Sequence, residues 1–199
     1  MGKLLSKKKV DPDLTLGEIE AIRDIWIRAK NNNVGRKILL TLIIKRPKFA
    51  EYFGIGSEDI DQKELLQKRE FQLQAHRIQG FLDTAVGSLG YCPISSIYDM
   101  AHRIGQIHFY KGVNFGADNW LVFKKVTVDE VTKIKFDKDG KAAKRESSTD
   151  DVTPDYTVAD IGSINEMYET QNCLARLGWN KFMTVIVREM KRGGRFSQF

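Results

Sequence analysis

Three histidines and two cysteines are the side chains of this sequence best able to bind a metal or attack a carbonyl. Their spacing excludes the common catalytic arrangements. His76, His102 and His108 fall within 33 residues, but no His-Glu-x-x-His pair occurs, as a zinc protease would require. Gly112-Val113-Asn114-Phe115-Gly116 is not followed by Gly-Lys-Ser/Thr, so it is not a phosphate loop. No Gly-x-Ser-x-Gly elbow presents a nucleophilic serine. Cys92 and Cys173 have no neighbouring Cys or His. That is neither a zinc pattern nor a disulfide scaffold. It suits a reducing, cytosolic compartment, and two inert, buried thiols are expected.

His108 is the informative residue. It ends a stripe of Ile97, Met100, Ala101, Ile104 and His108 at helical spacing, whereas His102 lies off that stripe. A histidine on an apolar face is most often a core group with a satisfied partner. An imidazole at the mouth of an apolar, helix-lined slot also suits a haem iron. There the neutral nitrogen ligates and the apolar walls hold the porphyrin.

The elements that would position it read as helices. Thr15-Leu16-Gly17-Glu18 is a capping box, opening a helix with Ile19, Ile22, Trp26 and Ala29 on one face. Asn31-Asn32-Asn33 breaks it, and a second helix runs from Val34 to Lys45 until Pro47. An aromatic segment, Phe49 to Gly54, comes next. Phe71, Ala75, Ile78, Leu82 and Leu89 define the clearest helix, and Gly90 with Pro93 separates it from the helix that carries His108. Residues 116–134 fit a helix through Trp120, Phe123, Thr127, Val131 and Ile134; Val122, Lys124, Val126 and Val128 alternate as a strand would, but the helical neighbourhood favours helix. Val158–Tyr168 is weakly helical. A strong last helix holds Trp179, Phe182, Met183, Ile186 and Met190, and Gly193-Gly194 stops it. The expectation is an all-α chain of about seven helices.

The 199 residues are enough for one domain. A hydrophobic content of 42% with 29% charged residues argues against a disordered chain. No apolar run approaches membrane-spanning length. The net charge of +6 is concentrated in Met1–Lys9 and Arg188–Arg195. No nucleic-acid module accompanies it, so nucleic acid is not an expected partner. Met1-Gly2-Lys3-Leu4-Leu5-Ser6 fits the myristoylation pattern, with Gly2 as the acceptor. One acyl chain binds membranes only marginally; Lys7, Lys8 and Lys9 supply a second attraction to an anionic surface. The expected location is cytoplasmic and peripheral to the membrane. Residues 1–13 read as a flexible basic tail, 14–192 as the domain and 193–199 as a C-terminal tail.

In order and spacing these segments resemble the globins, in particular the divergent globin-like proteins of nematodes and the neuroglobin and cytoglobin branch. Gly35, twelve residues before Pro47, looks like the small residue where helices B and E cross. Pro47 followed by Phe53 looks like the helix C proline and the phenylalanine of the CD corner. Residues 77–86 (RIQGFLDTAV) are similar to helix E. Ile104–His108 is similar to helix F, with Gly112-Val113 supplying the valine beyond it, and Trp179–Phe182 is similar to helix H.

The resemblance implies a globin fold around haem b. It implies His108 as the proximal iron ligand, Phe53 stacking on the porphyrin, and Leu39 and Ile78 as distal walls. Ile104 and Val113 would pack on the proximal side, and Arg77 would pair with a propionate. Placing small Ala75 at the helix crossing makes Gln74 the distal residue, a hydrogen-bond donor toward a gas. Placing His76 there instead would give iron with two histidine ligands and would put Arg77 into the crossing. Two features depart from ordinary globins: the basic tail, and a polar insertion at 135–156 between helices G and H. The implied function is binding or sensing of dioxygen or another diatomic gas, with no enzymatic reaction required. Redox signalling at the membrane, through an electron-transfer or signalling partner protein, is an extension of it. The alternatives are a bis-histidyl electron carrier and a haem-free adaptor of the same fold.

Overall fold

A computed structural model describes residues 14–55, 61–113, 115–133 and 158–194, with side chains from residue 172 onward in the last segment. The tail 1–13 with Gly2, the insertion 135–156 and residues 195–199 lie outside the described residues. The described chain is all-α. Its eight helices are α1 (Leu16–Asn31), α2 (Val34–Lys45), α3 (Phe49–Tyr52), α4 (Gln62–Gln67), α5 (Arg69–Ser88), α6 (Ile94–Tyr110), α7 (Ala117–Thr132) and α8 (Val158–Gly193).

Local chemistry sets the boundaries. The Thr15 hydroxyl accepts a hydrogen bond from the Glu18 backbone N–H, and the Glu18 carboxylate accepts one from the Thr15 N–H, closing the capping box. Asn33 adopts a left-handed conformation, φ 53°, between α1 and α2. Asparagine tolerates that conformation better than most residues, and it reverses the chain within two residues. Pro47 lies just past the end of α2, where it has no helical carbonyl to clash with.

Packing is pairwise and crossed. α8 lies against α1, α6 and α7, while α2 lies against α5 and α7. Ile22, Trp26, Ile38, Leu42, Leu82, Trp179, Phe182, Met183 and Ile186 are buried together at the centre. A smaller cluster of Leu39, Ile43, Phe49, Ala50, Ile55, Leu65, Phe71 and Ala75 sits beside it. Charged groups join the helices. Lys181 of α8 pairs with buried Glu18 of α1 at 2.6 Å. Asp83 of α5 accepts hydrogen bonds from Trp26 Nε1 (2.9 Å) and Lys30 of α1. The Thr41 hydroxyl of α2 donates to buried Glu130 of α7 at 2.9 Å.

Three sequence expectations change and one ambiguous segment resolves as the sequence reading favours. Residues 158–193 form one helix of 36 residues instead of two segments. The short α4 adds a helix that the apolar pattern does not mark. Residues 117–132 are helical, as the sequence reading favours, and their strand-like alternation has a physical cause: α7 packs against α1, α2 and α8, which buries Val126, Thr127, Val128, Glu130, Val131 and Thr132 in near succession. Cys92 and Cys173 are both exposed free thiols, not buried ones, because each lies on the outer side of its turn or helix. No helix among the described residues is long and apolar enough to cross a membrane.

Candidate functional site around His108

Two backbone approaches position the site. At the first, α2 crosses α5. A Cβ added to Gly35 would lie 2.4 Å from the Ala75 carbonyl oxygen and 2.8 Å from Gln79 Cβ. The Gln79 side-chain oxygen accepts the Gly35 N–H at 3.1 Å, which pins the crossing. Ala75 is therefore the small residue at the contact. Gln74 and Ile78, four apart on one side of α5, are half-buried, while His76 and Arg77 are exposed.

At the second approach, α6 meets α8. A Cβ on Gly105 would lie 2.0 Å from the Met190 carbonyl oxygen, and one on Gly193 would lie 2.1 Å from the His102 carbonyl oxygen. Glycine at both places lets the two backbones touch. Gly193 thus has a packing role as well as marking the end of α8. The contact fixes the rotation of α6 and so the direction in which His108 projects.

The His108 imidazole points inward. Its Nδ1 is buried and makes no hydrogen bond. The ring meets Phe115 at 5.3 Å and Trp120 at 6.0 Å between centroids, both edge-on. Burial pushes its pKa below the usual histidine value, and the charge of Lys111 pushes the same way. The Ile104 carbonyl, one turn back, opposes them, outweighing Lys111 but not burial; it favours a proton on the ring while lying outside hydrogen-bond geometry. The group is a neutral imidazole at pH 7, the form that binds metals.

Different surroundings lie on the two sides of this ring. Toward α5, Leu39 is fully buried, and Phe53, Ile78 and Phe115 pack on its cluster. Phe115 stacks on Phe49 at 5.4 Å and meets Tyr52 at 5.1 Å, so it links that cluster to His108. α5 and α6 barely touch each other. Phe53, Gln74, Ile78, Ile104 and Val113 are half-buried. Toward α7 and α8, a cavity of about 550 Å³ is bounded by Gly105, His108, Phe109, Val113, Phe115, Trp120, Met190 and Lys191, among others.

The structure therefore brings His108 and Val113 to one wall and gathers Leu39, Phe53 and Ile78 behind Phe115. It leaves Arg77 and His76 on the solvent side of α5. Sequence reasoning missed Phe115 and Trp120 as neighbours of His108. The signal was an aromatic in the segment after α6 and the first large apolar residue of α7. It also missed Gly105, whose place on the apolar stripe of α6 marks a close approach.

A haem requires one neutral imidazole and apolar walls. His108, kept neutral by burial, meets the first requirement, and half-buried Phe53, Ile78, Ile104 and Val113 meet the second. These residues fit the group. No cluster of three or more His, Cys, Asp or Glu able to hold a bare metal ion occurs among the described residues. No protein-family model matches the chain, and no curated protein matches it.

Proposed function

We propose that this chain is a haem-binding globin that takes up dioxygen or another diatomic gas, with His108 as the iron ligand. The observation that carries this reading is the inward-facing imidazole of His108, kept neutral by burial and set edge-on between Phe115 and Trp120. The order and pairing of the helices support a globin fold: α2 on α5 through Gly35 and Ala75, and α8 on α1, α6 and α7.

The chain's own residues would divide the work. The carbonyl of Ile104 favours a proton on His108 and, lying one turn back in α6, would hold that proton at Nδ1, which leaves Nε2 as the ligating atom. Phe115 and Trp120 limit the rotation of the ring. Leu39, Phe53 and Ile78 exclude water from the α5 side. Gln74, half-buried on α5 and adjacent to the Ala75 contact, would offer its amide as a donor toward the gas. Haem, when bound, supplies the iron that coordinates the gas.

Exposure of His76 disfavours the bis-histidyl alternative. The Gly2 and Lys7–Lys9 segment is proposed as an acyl-plus-lysine attachment to an anionic cytoplasmic membrane face. The central reading is tested by hemin titration of the full chain. Saturable one-to-one binding is expected, lost in His108→Gly and restored by added imidazole. Equal hemin affinity of wild type and His108→Gly, with no effect of imidazole, would refute it.

A further inference from the structure

The cavity on the α7 and α8 side of His108 is not accounted for by the proposed haem function. None of its lining residues comes from α2, α3 or α5, and Phe115 alone belongs both to this wall and to the packed cluster of Leu39, Phe53 and Ile78. Its volume of about 550 Å³ is within the range of small-molecule sites. The wall is aromatic and aliphatic through Phe109, Val113, Phe115, Trp120 and Met190.

Among the described residues, Lys191 is the single charged one on that wall. Neighbouring cations are already held: Arg188 Nε and Arg192 Nη1 each donate to buried Glu189 at 2.9 Å. Lys191, by contrast, makes no hydrogen bond or ion pair among the described residues. A second electropositive feature lies on the same wall. Gly116 and Ala117 begin α7, and no side chain caps that helix end. Uncapped N–H groups at a helix start favour an anion. Asp118, the next residue, is exposed and off the wall.

We propose that this cavity is a second ligand site, which takes an amphipathic carboxylate such as a fatty acid. Its alkyl body lies against the aromatic and aliphatic wall, and its carboxylate lies at Lys191. The charge specifies an anion, and the otherwise apolar lining specifies a long hydrocarbon. His108 forms part of the same wall.

The test is a calorimetric titration of the full chain with dodecanoate and with dodecanol, below their aggregation concentrations. Dodecanoate is expected to bind the more tightly. Lys191→Met should weaken dodecanoate by about tenfold, the effect of losing one charge-assisted hydrogen bond, and should leave dodecanol unchanged. Lys191→Arg should retain the preference for the acid. Equal binding of acid and alcohol by wild type, or the same ratio in Lys191→Met, would overturn the proposal, as would no binding of either ligand. The titration is repeated after hemin loading, where unchanged dodecanoate affinity is expected; competition would place both ligands in one space and overturn the separate site. The apoprotein titration needs no porphyrin, so its outcome stands whether or not the haem reading survives.

Discussion

At the scale of the residue, His108 concentrates the chemistry because it combines burial with an unpaired nitrogen. Burial disfavours its charged form, so the folded apoprotein binds the proton less readily than the unfolded chain. Linkage gives the sign: stability rises with pH wherever the unfolded state holds more protons. The apoprotein should therefore lose stability as pH falls below about 6.5, the unperturbed histidine value. His108→Gln should flatten that dependence, as read by urea melts at several pH values. An unchanged slope in the variant would contradict the assignment. The distal side gives a second prediction at this scale. Gln74→Leu should alter gas dissociation rates of the hemin-loaded, reduced protein, and His76→Ala should not, because only Gln74 is half-buried beside the Gly35–Ala75 crossing.

At the scale of the element, two glycines set helix positions and offer a sharper test than core truncations. Gly35→Ala would drive a Cβ to 2.4 Å from the Ala75 carbonyl oxygen, and Gly105→Ala would drive one to 2.0 Å from that of Met190. Both neighbours are backbone, so a helix must shift. Each variant should lose about 1–3 kcal/mol, seen as a lower urea midpoint with little change in slope. Asp83→Ala should cost about 1–3 kcal/mol, because it leaves the indole N–H of buried Trp26 without its acceptor. Much of this level was legible in the sequence. The capping box, the asparagine break, Pro47 and the stripe ending at His108 can all be read from local spacing. The α2–α5 crossing was reached from Gly35 through the family resemblance. The close approach of α6 and α8 was not legible, since Gly193 reads locally as a helix stop and only the fold shows what it touches. The alternation in α7 made its helix ambiguous for a similar reason. Burial against three helices erases the single stripe by which a surface helix is recognised.

At the scale of the whole molecule, helices packed around one core carry a basic sequence with +6 net charge, and Lys3, Lys7, Lys8 and Lys9 sit next to a myristoylation pattern. If that segment directs attachment, acylated protein should sediment with vesicles containing phosphatidylserine and less so as salt rises. Gly2→Ala should leave it in the supernatant; unchanged sedimentation would remove acylation as the anchor. The described helices rule out a spanning segment among themselves and leave this surface attachment to be tested.

The site as a whole was only half legible. Residue type and spacing single out His108, but the ring contacts with Phe115 and Trp120 and the cavity beyond depend on how the segment after α6 folds back. The central claim, that His108 holds a haem iron, is tested most directly by the absorption spectrum of the reduced, ligand-free protein after hemin reconstitution. The expected result is a Soret band with the single broad visible band of five-coordinate iron, absent in His108→Ala. A chain that stays colourless, or an identical spectrum in His108→Ala, would contradict it.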